Sequence, residues 1–171
     1  MRRTPSFEGL RPTTDAASRV GHANSSRNTS PEVLLRSALR AQGVRYRLHN
    51  SRLPGKPDLI LPGRRIAIFC DGDFWHGRRW DQRRRMLARG ANAPYWVAKI
   101  GANIRRDRHI KRELRNRGWI VLRVWESDVR KDREDIARRI GSLARRMTIL
   151  RHKKQRSLDS SRVQKRRARL K

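Results

Sequence analysis

Cysteine is nearly absent from this chain: Cys70 is the only one in 171 residues. A lone thiol excludes an internal disulfide and any zinc site built from several cysteines. Its position at the end of an apolar run suits a small buried hydrophobe. Long apolar runs are missing as well, and none approaches the roughly 20 residues that a membrane-spanning helix needs. The opening MRRTPSFEGL lacks the apolar core of a signal peptide, so a soluble, cytoplasmic protein is expected. Acid is the third scarcity, with 15 Asp plus Glu against 45 Lys plus Arg and a formal net charge of +30. A charge of that size calls for a polyanionic partner, and nucleic acid leads. A compositional bias towards Arg adds to the excess of base without explaining the shortage of acid. With 36% apolar residues, the chain suits one domain of ordinary size plus polar extensions.

What is present divides into three parts. Residues 1–27 are rich in Pro, Thr, Ser, Asn and Gly, carry five Arg against Glu8 and Asp15, and read as a mobile arm. Residues 151–171 hold ten Lys or Arg and one Asp with almost nothing to bury, so a disordered basic tail is expected. Such a tail either adds phosphate contacts or keeps the protein soluble. Between them, residues 28–150 form the domain, with a net charge of +18.

Within that domain, Ser30-Pro31-Glu32 opens a helix: Ser30 can cap it, Pro31 suits the first turn, and Glu32 complements the positive helix end. Leu34, Leu35, Ala38 and Leu39 give it an apolar face, and Gly43 stops it. Residues 44–49 alternate with period two and read as a half-buried strand. Strands at 58–61 and 65–70 form a hairpin about Pro62-Gly63, the second apolar enough for the middle of a sheet. Residues 78–93 form a basic surface connection, loop or short helix. A long helix at 94–117, a buried strand at 119–125 running parallel to the earlier sheet, and a helix at 132–147 complete the chain. The fold class is α/β, in the order αβββαβα around one mixed sheet.

The polar residues at the ends of the buried strands carry the chemistry. Asp58 opens one hairpin strand beside the end of the other, where residues 70–73 lie. Two such ends can converge a carboxylate, a backbone carbonyl and water on a hard cation such as magnesium, which can polarise a phosphodiester. His76 has the imidazole a general base needs to activate water. Taken alone, Asp after Pro is commonly only a turn residue.

Several ordered motifs between Ser18 and Val129 sharpen this. They are Ser30-Pro31-Glu32, LPGKPD at 53–58, the Phe69 to His76 segment FCDGDFWH, YWVAKIGANIRRDR at 95–108, and GWIVLRVWE at 118–126. In these residues the chain resembles the very short patch repair (Vsr-type) mismatch endonucleases of the restriction-endonuclease-like fold. The resemblance implies a magnesium-binding carboxylate at Asp58, a metal-facing main-chain carbonyl at Cys70, and a general base at His76. It also implies supporting acids at Glu32 and Asp107, with Asn103, Arg105 and Arg106 at the DNA. Phe74, Trp75 and Trp96 match the aromatics that wedge into the DNA stack. Against these roles stand plainer ones: Phe74, Trp75 and Trp96 can be core, Glu32 a helix-start charge, and Asp107 half of a surface Arg–Asp pair. Trp119 and Trp125 read as core.

One departure stands out. Better-known relatives hold a structural zinc near the FWH motif and after the last strand, where this chain has Asp73, Arg78, Trp80 and Ser127. Arg78, Trp80 and Ser127 are not zinc ligands, so no structural zinc is expected, and packing, as by Trp80, would take its place. Asp71, where some relatives have His, adds a second acid near the metal.

The function implied is a monomeric, magnesium-dependent endonuclease, located with the nucleoid, that nicks double-stranded DNA beside a T:G mismatch. The alternatives are a nickase without mismatch preference and a DNA-binding protein without catalysis.

Overall fold

A computed structural model describes residues 28–48, 52–90 and 92–168, with side chains to Lys153 and at Arg156. The arm expected at 1–27 lies outside the described residues. The first helix, α1, spans Ser30–Ala41 and is capped one residue earlier than the sequence suggests. Thr29 has extended backbone (φ −62, ψ 154) and exchanges reciprocal bonds with Glu32 in a capping box, which puts Ser30 inside the helix. Pro31 then sits in the first turn, where a missing N–H costs nothing. Gly43 (φ +68) ends the helix and returns buried Val44 to its apolar face.

Four strands follow: β1 (Arg47–Leu48), β2 (Leu59–Leu61), β3 (Ile66–Asp71) and β4 (Ile120–Trp125). β1 is shorter than the alternation at 44–49 suggests, with only an exposed two-residue pair at the sheet edge. β2 and β3 form the expected antiparallel hairpin around a 3-10 turn, Pro62–Arg64. β3 and β4 pair in parallel from Ile66↔Ile120 to Asp71↔Trp125. The sheet order is β1-β2-β3-β4. The connection between β3 and β4 holds a short helix, α2 (Trp80–Leu87), and a long one, α3 (Ala93–Asn116), so the basic stretch after His76 is helical where a loop was equally open.

Side-chain alternation along the strands gives the sheet two apolar faces. Leu59, Leu61, Ile66 and Ile68 pack with Leu35, Leu39, Val129, Ala137 and Ile140 of α1 and α4 (Glu126–Ala168). Ile60, Ala67, Phe69 and Val121 pack with Leu114 of α3, with Trp119 against them. Each fully buried Leu or Ile contributes about 1.5–3 kcal/mol over an exposed one, and this core fixes the strand register. The result is the α/β architecture of a restriction-endonuclease-like core: a mixed sheet between helical layers.

α4 is two helices joined at Asp132, whose backbone (φ −156, ψ 72) is non-helical. The Asp132 carboxylate accepts the Asp135 amide at 2.9 Å and so caps the second segment. That segment matches the helix expected from residue 132, and it continues to Ala168. Residues 151–168 thus belong to this helix, where composition suggested a disordered tail. Lys and Arg are good helix formers, and extending a helix avoids the cost of nucleating one. Arg151, His152 and Lys153 on it are exposed.

Candidate active site

One face of α3 is the platform for the site. The turn carrying Asp58 is closed by the Lys56 amide on the Leu53 carbonyl at 3.0 Å, with Pro54 second and Gly55 (φ +73) third, the type II pattern. A Cβ on Gly55 would come within 2.6 Å of Ile110 on α3. The loop after β3 is seated in the same way: Gly77 has φ +70, and a Cβ there would lie 2.5 Å from Ile104. Asn103, buried on the same helix, donates to the Trp75 carbonyl at 2.9 Å. Both loops therefore depend on glycines pressed to one helix, and Asn103 ties down the residue beside His76.

One turn along α3 from Asn103, the Asp107 carboxylate meets His76 Nδ1 at 2.6 Å. Burial opposes its charge, yet the His76 hydrogen bond and the Arg123 guanidinium outweigh burial and hold its carboxyl below the ordinary value. When Nδ1–H is donated to Asp107, the lone pair of the imidazole is left on Nε2.

Arg123 completes the group. In the parallel register it pairs with Phe69, and alternation aims it to the α3 face. Its guanidinium binds both oxygens of Asp71, Nη2 reaching Oδ1 at 2.6 Å. It also reaches Asp107 at 3.2 Å and His76 Nδ1 at 3.2 Å. Asp71 is only 2% exposed, a depth at which a carboxylate needs a partner. Nη1 of Arg123 is buried without a hydrogen-bond partner among the described residues. The guanidinium lies 5.0 Å from the Phe69 ring centre, which offsets part of that cost. Burial alone would ease the proton off Arg123, but the bond to Asp71 keeps it charged.

At the neighbouring strand end, Asp58 Oδ2 accepts the Cys70 amide at 2.8 Å. In an extended strand the N–H and C=O of one residue point to the same side. β2 pairs no further along β3 than Ile68, so the Cys70 carbonyl faces Asp58 beyond the end of that ladder. The Cys70 thiol points to the other face and is raised far above its ordinary pKa by burial, then by Asp58, Glu32 and Asp71, which makes it inert. Among the described residues no three His, Cys, Asp or Glu side chains form a metal cage. One carboxylate, a main-chain oxygen and water remain, a donor set that suits a hard, well-hydrated cation.

The other expected site residues divide. Phe74 and Trp75 on the loop and Trp96 at the start of α3 are half-buried; Phe74 meets Trp75 and Trp96 edge to face with centroids 5.1 and 5.4 Å away, and Trp75 and Trp96 are tilted at 6.0 Å. Arg105 and Arg106 are exposed on α3. Glu32 is 4% exposed, and its carboxylate accepts the Asn28 amide at 3.0 Å and the Thr29 hydroxyl at 2.9 Å. It is not brought into the His76 group, although its charge reaches the Cys70 thiol from the α1 side.

The family described as DNA mismatch endonuclease Vsr matches residues 12–82. A type II nicking enzyme of Neisseria meningitidis serogroup C, V.NmeDIP, is 40% identical over 123 residues, covering 72% of this chain and 82% of its own length. The chain belongs to the Vsr family of DNA endonucleases. V.HpaIIP of Haemophilus parainfluenzae, also called a type II nicking enzyme, is 39% identical over 66% of this chain and 78% of its own. The DNA mismatch endonuclease Vsr of Escherichia coli K12 is 37% identical over 63% of this chain and 67% of its own. As a Vsr-family member the chain is a DNA endonuclease of a class that uses a divalent metal, and no helix among its described residues is long and apolar enough to cross a membrane.

Two features of this Vsr chain escaped the sequence reading. The first is Arg123, whose signal was a charge inside the apolar strand IVLRVW facing two acids. The second is the corner where zinc would sit. Asp73, Arg78 and Ser127 bind one another there, together with Asp128, so a cationic guanidinium occupies the middle of the corner. These residues do not fit a zinc ion. Trp80 is half-buried at the start of α2, and polar contacts of Asp73 and Arg78 with Ser127 and Asp128 join the two sides of the corner.

Proposed function

We propose that this chain is a magnesium-dependent endonuclease that nicks one strand of double-stranded DNA beside a T:G mismatch, acting as a monomer. The observation that carries the chemistry is the 2.6 Å His76–Asp107 contact beside the Asp58–Cys70 strand end. Asp58 and the Cys70 carbonyl would hold the magnesium ion. When bound, it supplies Lewis-acid stabilisation of charge on the phosphate and leaving oxygen. His76 Nε2 takes a proton from water while Asp107 steadies the resulting imidazolium. The water oxygen attacks phosphorus, and the bond from phosphorus to one sugar oxygen breaks. One chain contains Asp58, Cys70, His76 and Asp107, so a single protomer suffices.

Phe74, Trp75 and Trp96 support the mismatch reading. They are flat, half-exposed and carried next to His76, and side chains of this kind can replace a lost base stack and kink the duplex. The name of the E. coli relative points the same way. A nickase without mismatch preference is favoured instead by the relatives named type II nicking enzymes. Cleavage of matched duplexes containing T:G, the strand-flipped G:T, or a fully paired site separates the two. Strong preference for T:G on one strand is expected, and equal rates on all three would overturn the mismatch reading.

We assign the chemistry to residues 28–150 and phosphate contact to the basic segment beyond. Removing residues 151–171 is expected to flatten the salt dependence of DNA binding, because each lost phosphate contact lowers the slope of log K against log salt by about 0.9. An unchanged slope would mean that the segment only keeps the protein soluble.

A further inference from the structure

The segment bearing Phe74, Trp75 and His76 is gripped at both of its flanks by one network. On one side, Asp73 Oδ1 accepts from the Ser127 hydroxyl at 3.0 Å, and its Oδ2 accepts the Ser127 amide at 3.2 Å. On the other side, Arg78 donates to Asp73 at 3.1 Å and to Asp128 at 2.6 Å, and it also touches the Ser127 hydroxyl. The Arg78 guanidinium lies 5.8 Å from the centre of the Trp125 ring. Asp128 and then Asp73 hold its proton more firmly than usual. Residues 73 and 78 thus bracket His76, while 127 and 128 begin α4 immediately after β4, the strand that carries Arg123.

We infer that Asp73, Arg78, Ser127 and Asp128 form an ionic clamp that does the work of a metal staple, positioning His76 against Asp107. The inference rests on His76 being the general base. The clamp closes about 50 residues of chain (the separations are 49 to 54), a span over which a cross-link removes substantial freedom. Isolated surface pairs contribute little. Here one planar guanidinium is shared by two carboxylates, and one carboxylate also receives a backbone amide, so the geometry is over-determined. Arg78 and Asp73 side chains are 25% and 17% exposed, so added salt weakens the clamp in a way that it would not weaken metal–thiolate bonds.

The test uses the full-length protein and a cleavable duplex, read as single-turnover rate at saturating DNA and, separately, as Kd. Arg78→Ala is expected to slow the chemical step by about 10- to 100-fold, the scale of a misplaced catalytic group. Its Kd should change by less than about threefold, below the roughly 3.5-fold by which one phosphate contact changes affinity between 50 and 200 mM salt. Arg78→Lys, which keeps the charge and loses the fork, should recover part of the rate. The Arg78→Ala, Asp128→Ala double variant should be no slower than Arg78→Ala alone. If Arg78→Ala does not fold, Asp128→Asn, which keeps the volume, is read by the same two measurements. An unchanged rate would overturn the clamp, as would equal losses in rate and Kd, which would make Arg78 a phosphate contact. One zinc per chain by elemental analysis would also overturn it. Asp58→Asn run alongside separates the two levels of argument: if it stays inactive while Arg78→Ala is fully active, only the clamp fails.

Discussion

Asp58→Asn is expected to abolish magnesium-dependent nicking and to leave DNA binding in place. The substitution is chosen for what it keeps. Asp58 Oδ2 accepts the Cys70 amide at 2.8 Å, and an asparagine carbonyl can accept the same bond, so the join between the strand ends survives. What is lost is the negative charge that faces the Cys70 carbonyl. A divalent cation contributes several kcal/mol of charge stabilisation to phosphoryl transfer, and each 1.36 kcal/mol is tenfold in rate. The expected loss is therefore at least about 10³-fold by these two scales. DNA affinity in a +30 chain comes from its many cations and is expected to be nearly unchanged at one salt concentration. Supercoiled plasmid with magnesium, scored for open circles, gives the rate, and filter binding without magnesium gives the affinity. Nicking that persists at the parent rate would place the metal elsewhere.

The sequence pattern was enough to find that pair because both partners follow from local rules. A Pro-Gly turn followed by Pro-Asp and three apolar residues is a strand start, and an apolar run ending before an Asp-Gly is a strand end. The hairpin between them then forces Asp58 beside Cys70. The same rules give α1, α3 and the parallel β4. They fail where position depends on register or on distant side chains. Arg123 reaches Asp71 and Asp107 only because β4 pairs Arg123 with Phe69 rather than with a neighbour. A slip of one residue would turn it to the opposite face. The corner clamp was unreadable for a related reason. The sequence reveals that Arg78 and Ser127 are poor zinc ligands, but the contact between them spans 49 residues. Glu32 was open between an acid supporting the active site and a helix-start charge, and in the structure its carboxylate is engaged in the capping box with Thr29. Its hydrogen bonds are those of a helix start, whatever its charge contributes to the site.

Asp107→Asn should lower the single-turnover rate by about 10³- to 10⁴-fold, the scale on which removing the acid of a Ser-His-Asp triad acts. The reason lies in which nitrogen of His76 carries the proton. Asp107 and Arg123 Nη2 both approach Nδ1, at 2.6 and 3.2 Å. A carboxylate accepts only and a guanidinium donates only, so Nδ1 can satisfy one of them. Paired with Asp107, Nδ1 holds the proton and Nε2 is the base; paired with Arg123, Nε2 holds the proton and the base is lost. Asp71 restrains Arg123 by occupying it on both oxygens, which leaves Asp107 the stronger partner. An asparagine amide at 107 can donate to Nδ1 just as Arg123 does, and both then favour the inactive tautomer. The depressed carboxyl pKa of Asp107 sets the sign of the pH dependence. Its charge is present above its lowered pKa and lost only as pH falls through it, below the ordinary carboxylate range. In the parent enzyme Asp107 is therefore already ionised at neutral pH. The loss on Asp107→Asn should persist across neutral and alkaline pH, because raising the pH cannot restore a charge that asparagine lacks. If Asp107 served only as half of an Arg–Asp surface pair, the same substitution would leave the rate within a few fold. A rate profile from pH 6 to 9 that superimposes on the parent curve would decide for that lesser role.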